Sequence, residues 1–145
     1  MRPIDIALFV LRLTGAVVLW PHGAQKVLGI FGGYGLSGTV AGLSHMGIPV
    51  VLVYLVIAVE FLGPIALALG VLTRLAALGI AVDMAVAAYM VHLPNGFFMN
   101  FAGNQKGEGI EFFIYAVGIS LALVIAGPGA YSIDARFGRS RARRR

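Results

Sequence analysis

The sequence predicts an all-α fold, a four-helix transmembrane bundle with both termini cytoplasmic, and three observations carry that prediction. Apolar residues make up 59% of the 145-residue chain and charged residues 12%, whereas a soluble domain carries about 25% charge because its surface must meet water. Four apolar segments, at about 4–20, 48–72, 75–93 and 110–126, have lengths near the ~20 residues that a helix needs to cross the ~30 Å hydrocarbon core. With four spans, eight arginines (Arg2, Arg74, Arg136, Arg139, Arg141, Arg143, Arg144 and Arg145) flank one side and only Lys26 and Lys106 the other. By the positive-inside rule the arginine side faces the cytoplasm.

The first segment carries Arg12 and is followed by Pro21, His22 and Gly23 instead of a small-residue cleavage site, so it reads as a retained helix and not as a signal peptide. Residues 21–47 are glycine-rich and are expected to form an outer loop. Within them Gly33-Tyr34-Gly35-Leu36-Ser37-Gly38 matches G-x-G-x-x-G, but no strand precedes it, and the dinucleotide reading requires one. The second segment holds Glu60, Gly63 and Pro64, and Gly70 to Arg74 closes a tight hairpin into the third, which holds Asp83. A second outer loop, 94–107, leads to the fourth helix. After Gly127-Pro128-Gly129 the chain leaves the membrane, closing a single domain over 1–136 with a basic tail at 137–145. Arginines at a membrane edge determine topology and meet anionic headgroups, at about 1 kcal/mol each, so the tail points to lipid and not to nucleic acid. With no cysteine, the chain has no disulfide or thiolate chemistry.

Charged residues inside membrane spans are expensive and need a partner or a use. At about 1.5 Å per helical residue, Arg12, Glu60 and Asp83 all fall in the central third of the membrane, on three helices. An Arg12–Glu60 pair with Asp83 nearby is the expected arrangement. As glue, the cluster would only hold the bundle together. As a site, it has one cation for two carboxyls, so one acid is expected to carry an exchangeable proton. Pro64 leaves the Glu60 carbonyl without its i+4 donor, adding polarity there. A second polar set lies toward the outer end: His22, Lys26, His92, Glu108 and Glu111. Of these, His22, Lys26, His92 and Glu111 are candidate ligand contacts. No H-x-x-x-H or E-x-x-H spacing is present, and no metal is expected.

Arg12 with Pro21-His22-Gly23 and Lys26, Glu60 with its Gly63–Pro64 pair, Gly70-x-x-Thr73-Arg74, Gly109-x-Glu111 and the run Gly127-Pro128-Gly129-Ala130-Tyr131-Ser132-Ile133-Asp134 together resemble the DoxX family of small four-helix membrane proteins. The resemblance covers roughly residues 4–136, and Asp83 is not part of its pattern. It implies a bacterial inner-membrane protein, the membrane subunit of a quinone-linked oxidoreductase or redox-stress assembly. In that reading Glu60 is the protonatable group, Arg12 its electrostatic partner, a membrane quinone the cofactor, and an oxidoreductase subunit or a second copy of the chain the partner. A haem pair, a flavin motif and a thiol are not found in the sequence, so electrons would come from outside the chain. A non-catalytic membrane scaffold or assembly factor and a small-solute transporter are the alternatives.

Overall fold

The computed structural model describes residues 2–142. It is helical throughout, with no strand among the described residues. Helix α1 runs from Pro3 to Leu28, starting with a proline where a missing N–H costs nothing. It does not stop at Trp20 as expected. It continues through Pro21 for two more turns and ends at Gly29. A proline inside a membrane helix is tolerated where neighbouring protein re-satisfies the freed backbone. The expected outer loop at 21–47 is therefore largely helix: the end of α1, then α2 at Gly35–His45, which absorbs most of the glycine motif.

Helix α3 (Val50–Leu69) carries Pro64 internally and turns at Gly70–Leu72 into α4 (Thr73–Ala87). A π-helical turn at Ala88–His92 and a 3₁₀ turn at Leu93–Asn95 extend α4, so Thr73–Asn95 is continuous. Helix α5 covers Glu111–Ala126 and α6 Ile133–Ala142. The expected basic tail is thus helical in part, and Arg143 to Arg145 lie outside the described residues. Three helices (Pro3–Leu28, Val50–Leu69 and Thr73–Asn95) are long and apolar enough to cross a membrane. The fourth apolar helix, α5, has 16 residues, about 24 Å, and falls short of a full span by itself.

α1 packs on α3, α3 on α4, and α4 on α5, so the bundle closes around Leu8, Leu19, Leu67, Ile80, Phe113 and Leu123. Outward-facing side chains are also apolar, with Val17 73% and Ile125 77% exposed. A surface of that kind suits lipid and not water.

The start of α1, the α3–α4 turn and the end of α5 meet at one end of the bundle, where polar groups clasp the chain. Asp5 accepts from the Ala130 N–H (3.1 Å) and from Arg2 (3.0 Å). Arg12 is fully buried and donates to the carbonyls of Leu67 (2.9 Å), Ala68 (3.3 Å) and Tyr131. Two of those lie in the last turn of α3, where the helix runs out of its own donors, and the Leu67 carbonyl also accepts from the Gly70 N–H at 3.2 Å. Gly70 makes this possible: its φ is +67°, and a Cβ there would lie 2.4 Å from both Arg12 Nη1 and Ser132 Cβ. Asp134 completes the clasp by accepting from the Leu72 N–H, the Thr73 N–H and the Thr73 hydroxyl, each at 2.9 Å, which caps α4. Burial works against ionising Asp134, but these hydrogen bonds and the Arg12 charge outweigh it and hold the carboxyl below the usual carboxylate range.

Candidate functional site

A cavity of about 260 Å³ opens in the bundle on the side away from the clasp. Glu60 and Pro64 face it from α3, His22 and Lys26 from α1, Asp83 and Met84 from α4, and Phe112 and Phe113 from α5. Lys26 donates to Glu60 Oε2, forming a salt bridge in which the lysine side chain is 28% exposed and the carboxylate 8%. Asp83 is nine-tenths buried beside this pair and feels the charges of both members. Its Oδ2 has no hydrogen-bond partner among the described residues. One cation therefore faces two carboxyls, a charge imbalance that a proton or a ligand donor would settle.

The pair forms because of where α1 crosses α3. A Cβ on Gly23 would lie 2.2 Å from the Glu60 carbonyl oxygen, so only glycine lets the two backbones touch there. Lys26, one turn further along, then reaches back to Glu60. Side chains on a helix lean toward its N-terminus. Lys26 on α1 consequently leans into the bundle, and Glu60 on the antiparallel α3 leans to meet it. Arg12 leans the same way, and from its place nearer the start of α1 that direction leads to the clasp.

The expected Arg12–Glu60 pair is accordingly not formed. Arg12 belongs to the clasp with backbone carbonyls, and the cation beside Glu60 is Lys26. Lys26 is also removed from the count of basic residues flanking the outer face, since it lies inside. The structure brings together Glu60 and Asp83 from the mid-membrane set and His22, Lys26, His92 and Glu108 from the outer set, which all line one cavity.

Glu111 does not line the cavity. It holds the loop over it, accepting from the Met99 N–H at 2.9 Å, while Glu108 accepts from the Asn100 N–H at 2.6 Å. The loop closes on α5 through Glu111 N–H to the Phe97 carbonyl (2.9 Å) and Ile110 N–H to the Gly96 carbonyl (3.1 Å). His92 sits under it, its ring 4.2 Å from that of Phe113 and its Nδ1 2.9 Å from the Glu108 carbonyl oxygen. The ring of His22 lies 6.2 Å from that of Phe112. Sequence reading did not single out Met99, Phe112 or Phe113. Phe112 and Phe113 directly follow Glu111 at the start of an apolar helix, where nothing local separates a lining aromatic from a lipid-facing one. No cluster of three potential metal ligands occurs among the described residues.

Apolar spanning helices around a buried ion pair and a further acid define a polytopic membrane protein with an internal polar site. Comparison with known proteins narrows this. The DoxX family profile matches residues 7–93, and the chain belongs to that family. It is 31% identical over 135 residues to the inner membrane protein YqjF of Escherichia coli K12, covering 90% of this chain and 91% of that protein. An uncharacterized protein of Haemophilus influenzae is 34% identical over 145 residues, with 94% and 92% covered. No solved structure matches significantly. The family match spans Arg12, Lys26, Glu60 and Asp83, that is, the clasp arginine and the charged side of the cavity.

Proposed function

We propose that the cavity binds the polar ring of a membrane quinone and exchanges protons with it, as the membrane subunit of a quinone-linked oxidoreductase or redox-stress assembly. The observation that carries the reading is the pairing of Lys26 with Glu60 beside the unpartnered Asp83 oxygen, deep between apolar helices. Buried ionisable groups in a membrane protein are functional by default expectation. The lining suits such a ring: Phe112 and Phe113 offer faces, His22 and Lys26 offer N–H donors for ring oxygens, and Asp83 and Glu60 hold or accept protons. A quinone supplies two-electron, two-proton redox chemistry when bound. This chain's residues would orient the ring, keep bulk water out under the 96–110 loop and relay the protons, while the electrons come from a partner subunit. The name of the Escherichia coli relative supports a bacterial inner-membrane location, and the arginine distribution supports both termini in the cytoplasm.

The test is mass spectrometry of small molecules retained after gentle purification, for wild type and Glu60→Gln. Stoichiometric quinone in the wild type, lost in a variant that is still folded, supports the site. If neither protein retains quinone and Glu60→Gln only lowers stability, the cavity is structural and the chain is a scaffold.

A further inference from the structure

The polar cavity, at about 260 Å³, is at the small end of ligand sites, which run to about 300–1,000 Å³. It takes a ring but no long chain, so a membrane amphiphile bound there must put its tail elsewhere. A second concavity of about 830 Å³ runs along the outer seam of α3 and α4, from Gly47 at one end to Leu72 at the other. Leu55, Ala58, Leu62, Gly79, Val82 and Val86 are among its lining residues, and Ala58 and Val82 are exposed on its walls. Among all the residues lining it, Asp83 alone has a polar side chain. Asp83 also lines the polar cavity. One nine-tenths-buried acid, with an unpartnered oxygen, is therefore the wall shared by an apolar groove open to lipid and a charged chamber inside the bundle.

We propose that the α3–α4 groove is the tail site and lateral entrance for a single-chain membrane amphiphile, whose hydrogen-bonding head passes Asp83 into the polar cavity. The inference rests on the proposed function for the nature of the head. Small side chains at Ala58, Gly63 and Gly79 keep the groove deep. Asp83 is where an entering head exchanges contact with lipid for contact with protein, because it is the first hydrogen-bonding group met from the bilayer. A second copy of the chain fits less well: helices associate in lipid by close backbone contact, and a straight apolar helix laid in the groove would leave the Asp83 oxygen unpaired.

The full chain in phosphatidylcholine nanodiscs is labelled with a benzoquinone bearing a decyl tail that carries a diazirine, and adducts are mapped by peptide mass spectrometry. Adducts should concentrate on α3 and α4 groove residues such as Leu62, Val82 and Val86. Ala58→Trp, which fills the groove from its exposed wall, should reduce them at least five-fold, and Val17→Trp on the lipid face of α1 should not. Asp83→Asn should weaken binding of the tailed quinone about ten-fold. Adducts spread evenly over Val17, Ile125 and the groove, unchanged in Ala58→Trp, would overturn the proposal. So would an Ala58→Trp shift from dimer to monomer without groove adducts, which would place a second copy there. Equilibrium dialysis of a tail-less dimethoxybenzoquinone reads the polar cavity alone. If it does not bind while adducts still map to the groove, the head chemistry is wrong and the tail site stands.

Discussion

Lys26 and Glu60 form the ion pair of the site. A charge left alone in a buried pair typically costs about 3–5 kcal/mol. Lys26→Met should destabilise the protein by about that much, and adding Glu60→Gln should restore most of the loss, because the double variant leaves no orphan charge. Thermal unfolding of the four members of this cycle in detergent measures the coupling directly. A smaller residue governs the same geometry. Gly23→Ala puts a methyl group into the Glu60 backbone, so α1 and α3 must separate. Overpacking of this kind costs about 1–3 kcal/mol, and quinone retention should fall with it, since Lys26 then loses its reach. Loss of stability with retained ligand would show that the pair is not positioned by that crossing.

At the scale of elements, the clasp shows how a short C-terminal segment organises two long helices. Asp134 caps α4 from outside it, and Arg12 ties α1 to the last turn of α3. Replacing a capping acid typically costs about 1 kcal/mol. The Asp134 carboxyl sits below its usual range, so its ionised form stabilises the fold above the ordinary aspartate value of about 3.9. That contribution disappears as pH falls through the lower folded-state value. The stability difference between wild type and Asp134→Asn should be constant from about pH 5 to 7 and shrink below about pH 4. A difference that persists undiminished at pH 3 would mean that charge has no part in the cap. The cavity end is held differently, by the 96–110 loop bonding to itself and to Glu111.

For the whole molecule, the start of α1 and the end of α5 share one end of the bundle, as the Asp5–Ala130 contact requires. With the termini in the cytoplasm, as proposed above, single cysteines at positions 2 and 136 should react with membrane-impermeant maleimide only in inverted vesicles, and one at position 104 only in intact spheroplasts. Labelling of position 2 from the spheroplast outside would reverse the proposed orientation. The two concavities give the bundle one charged interior and one apolar flank, with Asp83 between them. That division is what a molecule needs if it is to take a polar group out of lipid.

Composition and periodicity alone determined the helical class, the approximate spans, the α3–α4 hairpin and the burial of Glu60, Asp83 and Arg12 within the bundle, because burying charge in lipid is costly wherever the fold puts it. Family-pattern residues such as Lys26, His22 and Glu111 were visible too, without their roles. Only the tertiary structure decided who pairs with whom. Depth along a helix is readable from residue number, but the direction of a side chain and the rotation of one helix against another are not. Arg12 and Lys26 sit on the same helix, lean the same way, and still take different partners: Lys26 enters the cavity where Gly23 lets α1 touch α3, and Arg12 joins the clasp at carbonyls of the end of α3 and of Tyr131. Pro21 follows the expected end of the first span, and α1 nevertheless continues through it to Leu28. Where Asp83 stands, between groove and cavity, depends on contacts among helices distant in sequence, and those exist only in the folded bundle.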